Sequence, residues 1–150
     1  MRMTVQTDYA LRVLMYLAIR DDRPTIDMIA QSYGISRNHV MKVVQRLSGF
    51  GYLDSRRGRN GGVRLAQEPS LINVGALVRK FEETGQFVEC FDSATNQCVV
   101  TPACGLKHVL AGAVEQFMAH LDDFTIEDLV QKPASFETLL QTSVQIEQPV

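Results

Sequence analysis

TIDMIAQSYGISRNHVMKVVQRLSGFG, residues 25–51, decides the fold. Thr25 is a residue type that caps helix N-termini. Ile26, Ile29 and Ala30 follow it at helical spacing. Gly34 suits the left-handed backbone that closes a helix. Ile35 reads as a buried turn residue, and Ser36 opens a second helix whose Val40, Val43, Val44 and Leu47 share one apolar face. Helix, glycine-containing turn, helix with a polar start: this order is that of a helix-turn-helix. Its second helix presents Ser36, Arg37, Asn38, His39, Lys42 and Arg46 outward. Arginine reads guanine edges and asparagine reads adenine edges in the major groove, whereas lysine mainly meets phosphate.

The flanks agree. Upstream, residues 4–20 form an amphipathic helix through Tyr9, Leu11, Val13, Leu14, Leu17 and Ala18, with Thr4 or Thr7 as its cap. Asp21-Asp22-Arg23-Pro24 ends it, because proline disfavours helix in the residue before it. Asp8 reads as a first-turn acid, favourable to the helix dipole. Downstream, YLDSRRGRNGGVRL (52–65) has short strands at Tyr52-Leu53 and Val63–Leu65. Between them, Asn60-Gly61 is a hairpin signal. A hairpin tipped by arginines and glycines is a wing: the glycines let backbone approach phosphates, and the arginines enter a narrow minor groove. Arg57, Arg59, Asn60 and Gly61 therefore join the expected DNA contacts. A nucleotide phosphate loop is the weaker reading of this run, since it lacks the lysine–hydroxyl pair and no helix opens after it.

The 150 residues carry a net charge of −2, which conceals a strong asymmetry. Residues 1–65 hold 11 Lys/Arg against 5 Asp/Glu, and residues 66–150 hold 4 against 12. Such a split suggests that one half faces a polyanion, the alternative being two solvated faces of opposite sign. No apolar run reaches the roughly 18–20 residues that span a bilayer, and no signal peptide is evident. Three cysteines, an odd count, argue against a closed disulfide framework and for a reducing, cytoplasmic setting.

The remainder predicts a mainly α protein. A helix is expected over about Val74–Glu83 with Leu77, Val78 and Phe81 packing inward, then an irregular cysteine loop. Over residues 103–123 a stripe of Leu106, Val109, Leu110, Ala113, Phe117 and Leu121, continued by Phe124, predicts a helix about 30 Å long. The winged domain alone cannot cover such a stripe, so pairing with a second copy is expected, with intramolecular packing as the alternative. Thr125 and Asp128 resemble a capping box opening a short helix, TIEDLV, and Phe136–Leu140 is one more apolar segment. The expected divisions are a winged helix-turn-helix domain at 1–84, a cluster-binding loop at 85–104, a dimerisation helix with a short C-terminal helix at 105–140, and a polar tail at 141–150.

Cys90 and Cys98 have seven residues between them, and Cys98 and Cys104 have five. This is not the close pairing of zinc ribbons. Three thiols with no fourth suit an iron–sulfur cluster with one non-cysteine ligand. Zinc held by the three cysteines and His108 competes evenly on spacing alone, with inert or redox thiols behind both. An enzyme with Cys104 as nucleophile and His108 as base lacks an orienting acid.

TDYALRVLMYLA (7–18), YGISRNHVMKVVQRL (33–47), RRGRNGGVRL (56–65), VECF (88–91) and TPACGLKHVL (101–110) together resemble the iron–sulfur winged-helix transcriptional repressors, the family containing NsrR, IscR and RirA. SRNH, TPAC and the acid at position 8 look most like its nitric-oxide-sensing branch, NsrR. The resemblance implies a homodimer on a near-palindromic double-stranded DNA operator. It implies a 4Fe–4S cluster, with 2Fe–2S as the alternative, bound by Cys90, Cys98, Cys104 and Asp8 of the partner subunit. It further implies nitric oxide as the signal, with iron-responsive (RirA-like) and cluster-status (IscR-like) regulation as alternatives. The histidine ligand that IscR carries three positions beyond its last cysteine falls here on Lys107, with a histidine one residue later at His108. That mismatch weakens both the IscR-like and the zinc readings.

Overall fold

A computed structural model of the chain describes residues 3–56, 58, 61–82 and 87–145, except the side chains of 142–145. Its elements are α1 (Val5–Ala18), α2 (Ile26–Tyr33), α3 (Arg37–Gly49), β1 (Leu53–Arg56), β2 (Gly62–Leu65), α4 (Val74–Phe81), α5 (Gly105–Asp122) and α6 (Pro133–Gln145). Single 3₁₀ turns lie at Pro69–Leu71, Glu89–Phe91, Thr101–Ala103 and Glu127–Val130. No helix among the described residues is long and apolar enough to cross a membrane. The chain forms two compact units: one runs to Ile72 and resumes at Thr125, and the other is Asn73–Phe124.

In the first unit α1 packs on α3, and α2 packs on α3 and α6. Ala10, Val13, Leu14 and Leu17 of α1 and Val40, Val43, Val44 and Leu47 of α3 are all buried. Fully burying each large aliphatic side chain contributes about 1.5–3 kcal/mol. Helix ends follow the residue types at them. Thr4 Oγ1 accepts from Thr7 N–H (3.3 Å) and Thr25 Oγ1 from Met28 N–H (3.2 Å). Gly34, at φ 60°, closes α2 in the left-handed region. Ser36 occupies the cap position of α3, but its side chain makes no cap bond.

The wing strands pair antiparallel in the register Leu53↔Leu65, Asp54↔Arg64, Ser55↔Val63 and Arg56↔Gly62. Leu53 and Val63 are buried on the inner face. Val63 N–H donates to the Pro24 carbonyl (3.0 Å), which ties β2 to the α1–α2 loop. A Cβ on Gly62, at φ 156°, would lie 2.2 Å from the Arg23 carbonyl oxygen.

The sequence reading needs correction towards the C-terminus. TIEDLV is not an α-helix but a 3₁₀ turn over Glu127–Val130. Its expected cap is present: Thr125 N–H and Oγ1 donate to Asp128 Oδ2 at 2.8 and 2.7 Å. Pro133 then starts α6, which engulfs Phe136–Leu140 and runs to Gln145, into the segment expected to be tail. Proline is favourable at a helix start, and the following residues include good helix formers. Leu140 is buried, and Arg20 pairs with Glu137 at 3.8 Å. Residues 146–150 lie outside the described residues.

In the second unit α4 packs on α5. Asn73 Oδ1 accepts from Ala76 N–H (2.8 Å), while its Nδ2 donates to the Asp122 carbonyl (2.6 Å). Arg79 grips both carboxylate oxygens of Asp122 at 2.5 and 2.8 Å. Leu77, Val78 and Phe81 are buried as expected. On α5 Met118, outside the expected stripe, is the one buried residue, and within the stripe Leu106 and Val109 are 63% and 67% exposed in the single chain.

Gly62→Ala is expected to lower stability by roughly 1–3 kcal/mol, because it combines a strained φ with a backbone clash. The urea midpoint measures this; an unchanged midpoint would show that the β2–Arg23 approach carries no constraint.

Candidate nucleic-acid interface and cysteine segment

Ser36, Arg37, Asn38, His39 and Lys42 are all exposed along α3. They divide by helical spacing into two faces. Arg37 continues through Met41, Val44 and Gln45, which line a cleft of about 610 Å³ together with Arg56, Gly58, Gly61 and Gly62 of the wing. Asn38 and Lys42 lie on the neighbouring face. The cleft therefore joins the start of α3 to the glycine-rich hairpin. Arg57, Arg59 and Asn60 lie outside the described residues.

Sequence reasoning missed Asp27, which also lines the cleft. Arg37 Nε donates to Asp27 Oδ1 at 2.7 Å. Nothing in the sequence signals that pair, since it crosses from one helix to the next. Met41 and Gln45 were missed as well, although their four-residue steps from Arg37 signal them.

At the wing root one carboxylate gathers three guanidinium groups. Asp54 Oδ2 lies 2.7 Å from Arg23 Nη2, 3.3 Å from Arg64 Nε and 3.8 Å from Arg56 Nε. The hydrogen bond from Arg23, aided by the positive charges around it, holds the Asp54 carboxyl below the usual range. Like charges brought together on two short strands would repel; Asp54 between them lets Arg56 and Arg64 share one small surface.

Helix α1 supports α3 directly. The Tyr9 and His39 rings lie 5.9 Å apart, and Arg46 donates to the Gln6 carboxamide. Arg46, expected to face outward, is thus tied back to α1. Asp8 sits between Gln6 and Tyr9 in sequence separation from these contacts. Arg12 holds its carboxylate bidentately, Nε to Oδ1 at 3.0 Å and Nη2 to Oδ2 at 2.8 Å, and the Asp8 side chain remains 46% exposed. Arg12 in turn lies over the rings of Tyr9 and Tyr33, each at 5.9 Å. Burial pushes the Tyr33 phenol well above its ordinary value, so it stays neutral and donates to the Arg12 carbonyl at 3.1 Å.

In the second unit Cys90, Cys98 and Cys104 are free thiols. Cys90 sits in a single 3₁₀ turn, and Cys104 occupies the cap position of α5 without a side-chain cap bond. Cys98 is exposed, and its N–H donates to Asn96 Oδ1 at 3.1 Å. Asp92 accepts from Ala94 N–H and Thr95 Oγ1, both at 2.9 Å, and these bonds hold its carboxyl below the usual range. The loop is thus built from local polar staples rather than apolar packing. Among the described residues no three His, Cys, Asp or Glu side chains converge as a preformed metal site. His108 is exposed on the first turn of α5.

Comparisons with known proteins bear on both regions. The family model Rrf2, described as an iron-dependent transcriptional regulator, matches residues 3–132. The HTH-type transcriptional regulator NsrR of Bacillus subtilis is 48% identical over 145 residues, covering 94% of this chain and 98% of that protein. NsrR of Bacillus licheniformis is 43% identical over 142 residues, covering 93% and 99%. The fold is shared with solved structures of CymR from B. subtilis (TM-score 0.68, 22% identity, 87% and 97% coverage) and of T. potens IscR (TM-score 0.67, 24% identity, 87% of each). These relatives are regulators, which removes the reading of Cys104 and His108 as an enzyme pair.

Lys42→Ala is expected to weaken duplex binding uniformly across sequences and reduce the salt slope of log affinity by about one. An unchanged slope in filter-binding or anisotropy titrations would show that this face of α3 meets no phosphate.

Proposed function

We propose that this chain, which belongs to the Rrf2 family of transcriptional regulators, works as a homodimeric repressor whose grip on a near-palindromic operator is switched by nitric oxide at an iron–sulfur cluster. DNA binding itself follows from the family. The observation that carries the finer reading is the position of Asp8: half-exposed, on the helix whose Gln6 and Tyr9 touch Arg46 and His39 of α3.

The donor set fits such a cluster. The three thiols are free and carried on turns and bends held by local polar bonds, and the Cys104 side chain makes no cap bond that ligation would have to break. Cys90, Cys98, Cys104 and Asp8 of the partner subunit would hold it. When bound, a cluster with one weak oxygen ligand supplies an iron accessible to a small diatomic molecule. The chain's own part is the transmission. The Asp8 carboxylate is here satisfied by Arg12, so the two states of the switch differ in what Asp8 binds. Exchange between them moves the first turn of α1, and through Tyr9 and Gln6 the position of His39 and Arg46. The exposed apolar stripe of α5, Leu106 and Val109 included, is the surface for a second copy. Arg37, Asn38, His39 and Lys42 then enter the major groove, with Ser36 at the helix start, while the wing, including Arg57, Arg59, Asn60 and Gly61, follows the backbone.

One observation favours a second reading, iron availability as the signal: the description of the family is iron-dependent. Anaerobically purified protein, titrated with nitric oxide and separately with an iron chelator, distinguishes the two. Loss of visible absorption together with operator release on nitric oxide supports the first; release on chelation with indifference to nitric oxide replaces it with the second. Cys98→Ser is expected to remove the visible absorption while far-ultraviolet circular dichroism stays unchanged, since Cys98 is exposed. Retained absorption would remove Cys98 from the ligand set.

A further inference from the structure

We propose that Asp27 is a specificity-determining residue: it orients Arg37 so that the arginine reads one guanine in each operator half-site. The inference rests on the reading of α3 as the recognition helix and extends it to a residue of α2 that touches no base itself.

The contact uses one particular atom. Asp27 Oδ1 accepts from Arg37 Nε at 2.7 Å, and no other polar partner of Arg37 occurs among the described residues. A guanidinium is planar and carries its donors in a fixed fork. A carboxylate bound at Nε therefore fixes the rotation of that plane and leaves the Nη1 and Nη2 donors unengaged. Those two donors match the O6 and N7 acceptors of guanine, the commonest specific pairing in the major groove. Had the carboxylate taken both Nη groups, the arginine would be occupied rather than aimed.

Stability does not account for the pair. Asp27 and Arg37 are 67% and 57% exposed, and exposed ion pairs contribute little to folding. Helix α2 already has its cap in Thr25. The first-turn position of Asp27 interacts favourably with the helix dipole, but that needs no contact with Arg37. Against these small gains stands a cost: a carboxylate lining the cleft between the recognition helix and a basic wing repels phosphate. An acid in that place lowers non-specific affinity. It is reconciled with DNA binding if what it adds is discrimination.

The test uses the full-length chain, purified anaerobically, and a duplex selected by the wild-type protein from a randomised pool. Each guanine of the selected half-site is replaced in turn by 7-deazaguanine, which lacks the N7 acceptor, and by adenine. Wild type should show one position per half-site where both replacements weaken binding, adenine by about 5- to 150-fold. In Asp27→Ala that penalty should fall towards one-fold, while binding to an unrelated duplex is unchanged or tighter. Asp27→Asn, whose carboxamide oxygen still accepts from Nε, should keep most of the penalty. Undiminished discrimination in Asp27→Ala would overturn the proposal and leave α3 as the recognition helix. So would a parallel loss of specific and non-specific binding, which marks a structural role. A wild-type protein that selects no sequence at all would overturn the underlying reading as well.

Discussion

The wing stands on one close contact: β2 passes against the α1–α2 loop with no side chain between them. A two-stranded ribbon is marginal in water and takes its stability from what it packs on. Here Val63 N–H reaches the Pro24 carbonyl, and Gly62 lets the Arg23 backbone come nearer than any Cβ would allow. Arg23 then turns its own side chain back to Asp54, which also collects Arg56 and Arg64. Backbone and side chain of one loop thus hold the ribbon from both sides. The width of the cleft between α3 and the wing follows from that attachment.

Helix α1 supplies the other constraint. Its buried face, Ala10, Val13, Leu14 and Leu17, is rigid core, packed so that it moves as a body or not at all. Its exposed first turn carries Asp8 beside two residues that touch α3. A core helix with a polar, partly exposed end passes a local change at Asp8 on to α3. The coupling needs no long chain of contacts, because Tyr9 follows Asp8 directly and meets His39.

Much of this was legible from residue order. Apolar spacing and caps located α1 to α5 within a few residues, because Thr4, Thr25 and Gly34 each have a strong local preference that packing did not override. The wing was legible from its glycines. What the sequence hid was of two kinds. The helix α6 has little sharp periodicity, and TIEDLV looked like a helix start because a capping-box pattern does not reveal how many turns follow. The pairs Asp27–Arg37, Gln6–Arg46 and Arg23–Asp54 join residues 10, 40 and 31 positions apart, and no local rule connects them. For the cysteines, spacing left zinc and iron–sulfur chemistry level, and resemblance decided between them. Among the described residues no three such donors converge, so geometry adds no preformed cage.

The first unit is made from two separated pieces of chain, with α6 and the turn at Glu127–Val130 returning to helices encoded more than 100 residues earlier. Ribosomal synthesis runs from one end, so α1 to α3 emerge well before the segment that covers α2. At about 5–20 residues per second the nascent chain spends several seconds with that apolar surface uncovered. Completion of the first unit therefore waits until every cysteine has been made. A shortened translation product that ended after Phe124 would carry α1 to α3 on an unfinished core.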